Sequence, residues 1–134
     1  MVAGITEGGN VMSDRELLEC AARAAGIGYD QYVDGFAPEL FHYGTASGLL
    51  KVDSEMLSST CWNPLHDDGD ALRLAVQSDL TFQSLAENKT IEAWHHGYLC
   101  WEPWGHDKFA ATRRAIVRAA AEIGKKVDAP RTAG

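Results

Sequence analysis

The chain has no Cys-x-x-Cys pair, and its three cysteines, Cys20, Cys61 and Cys100, are an odd number at wide spacing. A disulfide framework wants an even count in an oxidising compartment, so free, buried thiols in a reducing compartment are expected. No basic start followed by an apolar run opens the sequence, so no secretory leader is expected. No apolar stretch approaches the ~20 residues that cross a bilayer. Cations are scarce too: 12 Lys and Arg stand against 19 Asp and Glu, a formal net charge of -7. That balance speaks against a whole surface given over to nucleic acid, because phosphate contact needs local Lys and Arg. It suits solubility, or association with a basic protein surface. The resulting expectation is a cytoplasmic protein with no membrane segment.

Catalytic signatures are missing as well. There is no Gly-x-Ser-x-Gly, and Gly8-Gly9 precedes no strand-to-helix turn of the kind that cradles phosphate. His42, His66, His95, His96 and His106 form no closely spaced ligand pairs, and the adjacent His95 and His96 would point to opposite faces of a strand. Asp67-Asp68-Gly69-Asp70 lacks the alternating order and the later Glu of a calcium loop. No catalytic residue, metal site or cofactor is assigned on this basis, and a non-enzymatic protein is expected.

What the sequence does contain is enough for one core. Its 134 residues, 46% hydrophobic and 23% charged, fit a single soluble domain. Residues 1–12 are expected as a tail, 13–127 as the domain and 128–134 as a second tail, with Met12 a candidate translation start. Ser13 and Glu16 form a capping box for a helix over Asp14–Ala25, closed by Gly26. Leu17, Leu18, Ala21, Ala22 and Ala25 make its apolar stripe. From Gly28 to Cys61, Gly and Pro punctuate every run, and only weak strands around Tyr29–Val33, Leu40–Tyr43 and Leu49–Val52 are predicted. The aromatics of this region are expected to form a small core lid rather than an exposed binding patch.

The clearest object is Trp62–Leu80. Pro64 pushes Asn63 towards extended geometry, and Asp67, Asp68 and Asp70 supply a cap and favourable charge at a helix start. A buried stripe of Ala71, Leu72, Ala75 and Val76 is expected, with Arg73 and Gln77 outward. Thr81–Ala86 and Thr90–His96 predict a hairpin whose turn Asn88 accommodates. Tyr98–Glu102 then adds a third strand, ended by Pro103, in which Trp101 can stack on Trp94 across strands. A last helix is predicted over Lys108–Ile123, stopped by Gly124 and buried through Phe109, Thr112, Ile116, Ala119, Ala120 and Ile123. Arg114 and Arg118 are placed on its solvated face. The fold class is α+β: a three-stranded antiparallel meander with helices on one face, in the order α, weak β, α, β, β, β, α.

Two surfaces follow from this pattern. An acidic edge flanked by tryptophan, comprising Trp62, Asp67, Asp68, Asp70, Glu102 and Trp104, suits a protein partner, because an exposed Trp is a frequent hot spot. The second surface is the last helix, where Lys108, Arg113, Arg114 and Arg118 lie among alanines; it carries the alternative expectation, a module that binds double-stranded RNA or a nucleotide. The α-β-β-β-α order over residues 67–126 matches that of double-stranded RNA-binding domains, but the acidic helix start and the net charge disfavour phosphate there. Shared topology is only an analogy. Self-association as a homo-oligomer is a third class.

Three blocks carry a family resemblance: Ser13-Asp14-Arg15-Glu16-Leu17-Leu18, then Trp62-Asn63-Pro64-Leu65 with Asp68-Gly69-Asp70-Ala71-Leu72-Arg73-Leu74-Ala75-Val76, then Ala110 through Gly124. Together they resemble small accessory proteins of temperate phages and prophages, in a layout similar to the NinX-like group. The blocks cover 34 of the 134 residues, about a quarter of the chain, and the region from Gly28 to Cys61 departs from the pattern. The family has no agreed activity, so no catalytic residue carries over. The resemblance implies a bacterial host cytoplasm and a host protein as partner, including a defence-system nucleoprotein complex. On that implication, an acidic surface of this kind could occupy the nucleic-acid-binding channel of a CRISPR effector or of another defence enzyme.

Overall fold

The computed structural model describes residues 12–29, 31–33, 48–53, 58–95 and 97–128. The elements run α1 (Asp14–Ala25), β1 (Gln31–Val33), β2 (Gly48–Asp53), β3 (Ser58–Trp62), α2 (Asp68–Gln77), β4 (Thr81–Leu85), β5 (Thr90–His95), β6 (Tyr98–Pro103) and α3 (Lys108–Asp128). They form two three-stranded antiparallel sheets, β1-β2-β3 and β4-β5-β6. The class is α+β, with the expected meander as the second sheet. The first sheet goes beyond the weak strands that the sequence suggested. β3, with Trp62 as its last residue, was not expected, and the strand predicted around Leu40–Tyr43 lies outside the described residues.

α1 begins and ends as its sequence dictates. The Ser13 hydroxyl accepts from the Glu16 amide at 3.1 Å while the Glu16 carboxylate accepts from the Ser13 amide at 2.9 Å. At the far end Gly26 takes a left-handed conformation (φ 73°), so that the Ile27 amide reaches the Ala22 carbonyl at 2.9 Å. Met12, expected in the tail, packs against the first core.

The end of α3 corrects the sequence reading. Gly124 does not stop the helix, which continues to Asp128. Its role is steric: a Cβ at Gly124 would overlap the Cys20 carbonyl oxygen on α1. Glycine lets the two helices cross almost backbone to backbone, and the buried Ala21, Ala22, Ala120 and Ala121 fit the same close approach. Arg23 reinforces the crossing, donating to the Gly124 carbonyl at 3.5 Å.

The buried faces of α2 and α3 also differ from expectation. α2 packs through Ala71, Leu74, Ala75 and Ser78, positions i, i+3, i+4 and i+7 of one stripe. Leu72 (56% exposed) and Val76 (69%) lie off that stripe in solvent. Asp79, in a left-handed conformation (φ 56°), ends the helix by passing the Leu80 amide back to the Ala75 carbonyl at 2.9 Å.

α3 is buried on two sides rather than one. Ile116, Val117, Ala120 and Ala121 join a core with Leu17, Leu18, Leu49, Trp62, Leu65 and Leu74. Ala111, Ala115 and Ala119 join a smaller one with Ile91, Ala93 and Cys100. Phe109, placed on the buried face by periodicity, lies outside both and is 70% exposed. In the β4–β5 turn the left-handed residue is Lys89 (φ 57°), not Asn88.

Candidate functional site: the acidic helix start, the arginine helix and the open sheet face

The acidic run before α2 is a closed hydrogen-bond network. Pro64 and Leu65 are buried, and the turn folds around the buried Asn63. The Asn63 carbonyl accepts from the His66 and Asp67 amides at 3.0 and 2.8 Å, and its side-chain oxygen accepts from the Leu65 amide at 3.1 Å. Asp67 caps the helix by accepting from the Asp70 amide at 2.8 Å. Asp70 reaches back to accept from the Asn63 amide at 2.9 Å, and its other oxygen accepts from Arg73 at 2.9 Å. Asp68 holds Arg113 at 2.6 Å, and Arg113 also donates to the Leu65 carbonyl at 2.8 Å. Of the three aspartates, Asp67 and Asp70 are committed to the turn and its cap. Asp68 keeps its side chain 72% exposed.

The tryptophans expected to flank this edge are placed differently. Trp62 is not an exposed loop residue: it closes β3 opposite Leu49 and is only 6% exposed, inside the first core. Trp104 is half-buried, its indole donating to the Thr90 carbonyl at 3.1 Å and its ring lying under Lys108 at 4.2 Å. Glu102 is paired with Arg118 at 2.5 Å.

The three arginines of α3 each engage a different element. Arg113 ties it to the start of α2, and Arg114 to Asp14 of α1 at 3.1 Å. Arg118 ties it to β6 through Glu102 and the Trp101 carbonyl, the latter at 3.1 Å. Arg118 is partly buried rather than on a solvated face. A phosphate backbone binding here would have to displace three carboxylates, which sets the duplex RNA reading at a disadvantage.

Two groups are electrostatically perturbed. Burial pushes the Cys100 thiol above its ordinary value, the Arg118 guanidinium opposing and Glu122 and Glu102 adding to the rise. Burial, helped by the Glu19 charge, raises the Tyr29 phenol. The Cys20 and Cys100 side chains are buried, and Cys61 is half-buried. Among the described residues no group of three His, Cys, Asp or Glu is placed to hold a metal ion. No described helix is long and apolar enough to cross a membrane.

The surface that sequence reasoning missed is the face of the second sheet turned away from α3. The ladders align Thr81, Trp94 and Leu99 in one row, Gln83, Glu92 and Trp101 in the next, and Leu85, Thr90 and Pro103 in the third. Alternate residues point to the opposite face, where Ile91, Ala93 and Cys100 meet α3. On the outer face Leu99 is 52% and Trp101 47% exposed. Trp94 and Trp101 lie on neighbouring strands, as expected, and are diagonal neighbours, since Trp94 faces Leu99 and Trp101 faces Glu92. An open cleft of about 350 Å³ runs along Glu92, Trp94, Gly97, Tyr98 and Leu99. A signal was present in the sequence: Leu99 and Trp101 alternate with Cys100 and Glu102, so one apolar pair had to face away from the helix.

These features define a small α+β protein of two antiparallel sheets joined by a central helix, with one sheet open to solvent. No protein-family model matches the sequence, and no curated protein or solved structure matches it significantly.

Proposed function

We propose that the chain is a non-enzymatic accessory protein of phage or prophage type that acts by binding a host protein, as an anti-defence inhibitor would. The observation that carries this reading is the open face of the second sheet, where Leu99 and Trp101 remain 52% and 47% exposed beside Trp94. A solvated sheet face is ordinarily polar, and a contiguous exposed apolar surface centred on tryptophan is the composition of a binding hot spot. The net charge of -7 suits a basic partner and supports a host nucleoprotein complex as the target class. The phage-like sequence blocks supply the biological setting. The acidic helix start contributes at most Asp68 to such a contact, its neighbours being committed to holding the turn.

The test is affinity capture from the natural host with the intact chain and with Trp101→Ala and Leu99→Ser. Both positions face away from α3, so the variants should keep their fold. A partner retained by the parent chain and lost from both variants is the expected outcome. Equal retention by all three would overturn the sheet-face reading.

A further inference from the structure

Among the described residues, three aromatic rings already have a cation over them. Arg15 lies over Tyr32 at 5.7 Å, Lys108 over Trp104 at 4.2 Å and Lys126 over Tyr98 at 4.8 Å. Trp94 and Trp101 have no such cation among the described residues, and both lie on the open face of the second sheet. Glu92 lies beside them, next to Trp94 along β5 and directly across from Trp101 on β6. Its carboxylate accepts from the neutral Gln83 amide at 3.3 Å and is in no ion pair among the described residues. None of the nine positions in the three outward rows is Lys or Arg. The face therefore combines one half-buried negative charge with two free aromatic rings, beside a cleft of about 350 Å³.

We propose that Glu92, Trp94 and Trp101 form a receptor for an arginine side chain presented by a basic protein partner. This rests on the protein-binding reading and names the chemistry that the site selects. A guanidinium is planar and weakly hydrated; it stacks on an indole face while its fork donates to a carboxylate, so one group satisfies both features of the cleft. An ammonium satisfies the charge as a point but does not stack. A second copy of the chain is a poor occupant, because apposing two such faces brings two Glu92 carboxylates together with no cation between them. Leu99 supplies the apolar flank for the arginine methylenes.

The experiment titrates the intact protein with hexa-arginine, hexa-lysine and hexa-citrulline peptides, following the four tryptophan indole N–H resonances by NMR. Hexa-arginine should shift Trp94 and Trp101 and leave Trp62 and Trp104 unmoved, and the neutral hexa-citrulline should shift none. Glu92→Gln should weaken hexa-arginine on the order of tenfold. Glu87→Gln, the same charge change in the exposed β4–β5 turn, should weaken it less than about twofold. Trp101→Phe should retain part of the affinity that Trp101→Ala loses. Equal losses in the two glutamate variants, or hexa-lysine binding as tightly as hexa-arginine, would mean diffuse attraction to an acidic chain and overturn the arginine assignment. If the assignment fails while Trp101→Ala still abolishes capture of the host partner, the protein-binding reading stands without it. If neither measurement responds to the face, both fall.

Discussion

α3 divides the molecule into two regions built by different rules. On one side it meets α1, α2 and the first sheet through Ile116 and Val117, against Leu17, Leu18, Leu49, Trp62, Leu65 and Leu74. On the other it presents only Ala111, Ala115 and Ala119 to Ile91, Ala93 and Cys100. Burial stabilises in proportion to apolar area, and a Leu or Ile removes far more from water than an Ala. The first region is held by bulk. The second has one large aliphatic fully buried, Ile91, with Leu80 and Trp104 partly buried against it, and is further secured by directional contacts: Arg118 to Glu102, and the Trp104 indole to the Thr90 carbonyl. The region with the thinner core also carries the open aromatic face. In this sheet, large apolar residues such as Leu99 and Trp101 stand on the outer face rather than in the interior.

The largest expected effect lies in the first region. Gly124→Ala places a Cβ into the Cys20 carbonyl, and since both sides of that contact are backbone, no rotamer change relieves it. Overpacking of this kind costs about 4 kcal/mol, the upper end of what single substitutions do. Urea denaturation reads it directly. A variant as stable as the parent would show that α1 and α3 do not cross at this point.

Next in size is a paired test of the two cores. Leu18→Ala should destabilise the whole protein by about 3 kcal/mol through transfer and cavity terms. Ile91→Ala removes a comparable volume, but its effect should be confined to the second region: amides of β4–β6 should exchange faster while those of α1 and β2 keep their protection. Hydrogen exchange resolved by residue distinguishes the two. Uniform loss of protection in both variants would mean one cooperative core and would dissolve the comparison.

How far the sequence disclosed this division depends on the kind of signal. Caps and turns are local, and Ser13, Glu16, Gly26 and Asp67 act as their residue types require. The meander was legible because Thr90–His95 and Tyr98–Pro103 alternate between faces. The two-sided burial of α3 was not, because an alanine-rich helix has little hydrophobic contrast around its circumference, so Phe109 and Ile123 pulled the expected face towards themselves. Gly124 illustrates a general ambiguity: near a helix end, a glycine that ends the helix and a glycine that admits a neighbouring backbone look alike. Leu72 and Val76 misled for a similar reason, since they are spaced i, i+4 like a buried pair but lie off the stripe of Ala71, Leu74 and Ala75. The Asp67–Asp70 run was legible as a helix start. Its availability to a partner was not legible, because Arg73 and Arg113 reach it from three and 45 residues away. The open sheet face depends on which side α3 covers, which is a tertiary fact.

The smallest effect separates the regions by pH. Cys100 lies in the second region with its thiol pushed up by burial, and Tyr29 packs against the first with its phenol also raised. Below about pH 8.5 the thiol is neutral in both folded and unfolded chains and adds no pH dependence. Above that value the unfolded chain releases the proton while the folded one retains it. The unfolded state then binds fewer protons, and stability falls as pH rises, until the folded thiol also ionises. The phenol behaves in the same sense but begins near its higher ordinary value of about 10. The Cys100 contribution should therefore be lost before that of Tyr29 as pH rises. Urea melts of the parent chain, Cys100→Ala and Tyr29→Phe at pH 7.5, 9 and 10.5 compare slopes rather than absolute stabilities, so the cavity left by Cys100→Ala cancels. Cys100→Ala should flatten the decline between the first two pH values, and Tyr29→Phe only that between the last two. If Cys100→Ala leaves the early slope unchanged, the thiol is not held in the apolar seam under α3, and the thin second core would need to be redrawn around Ile91 and Ala93 alone.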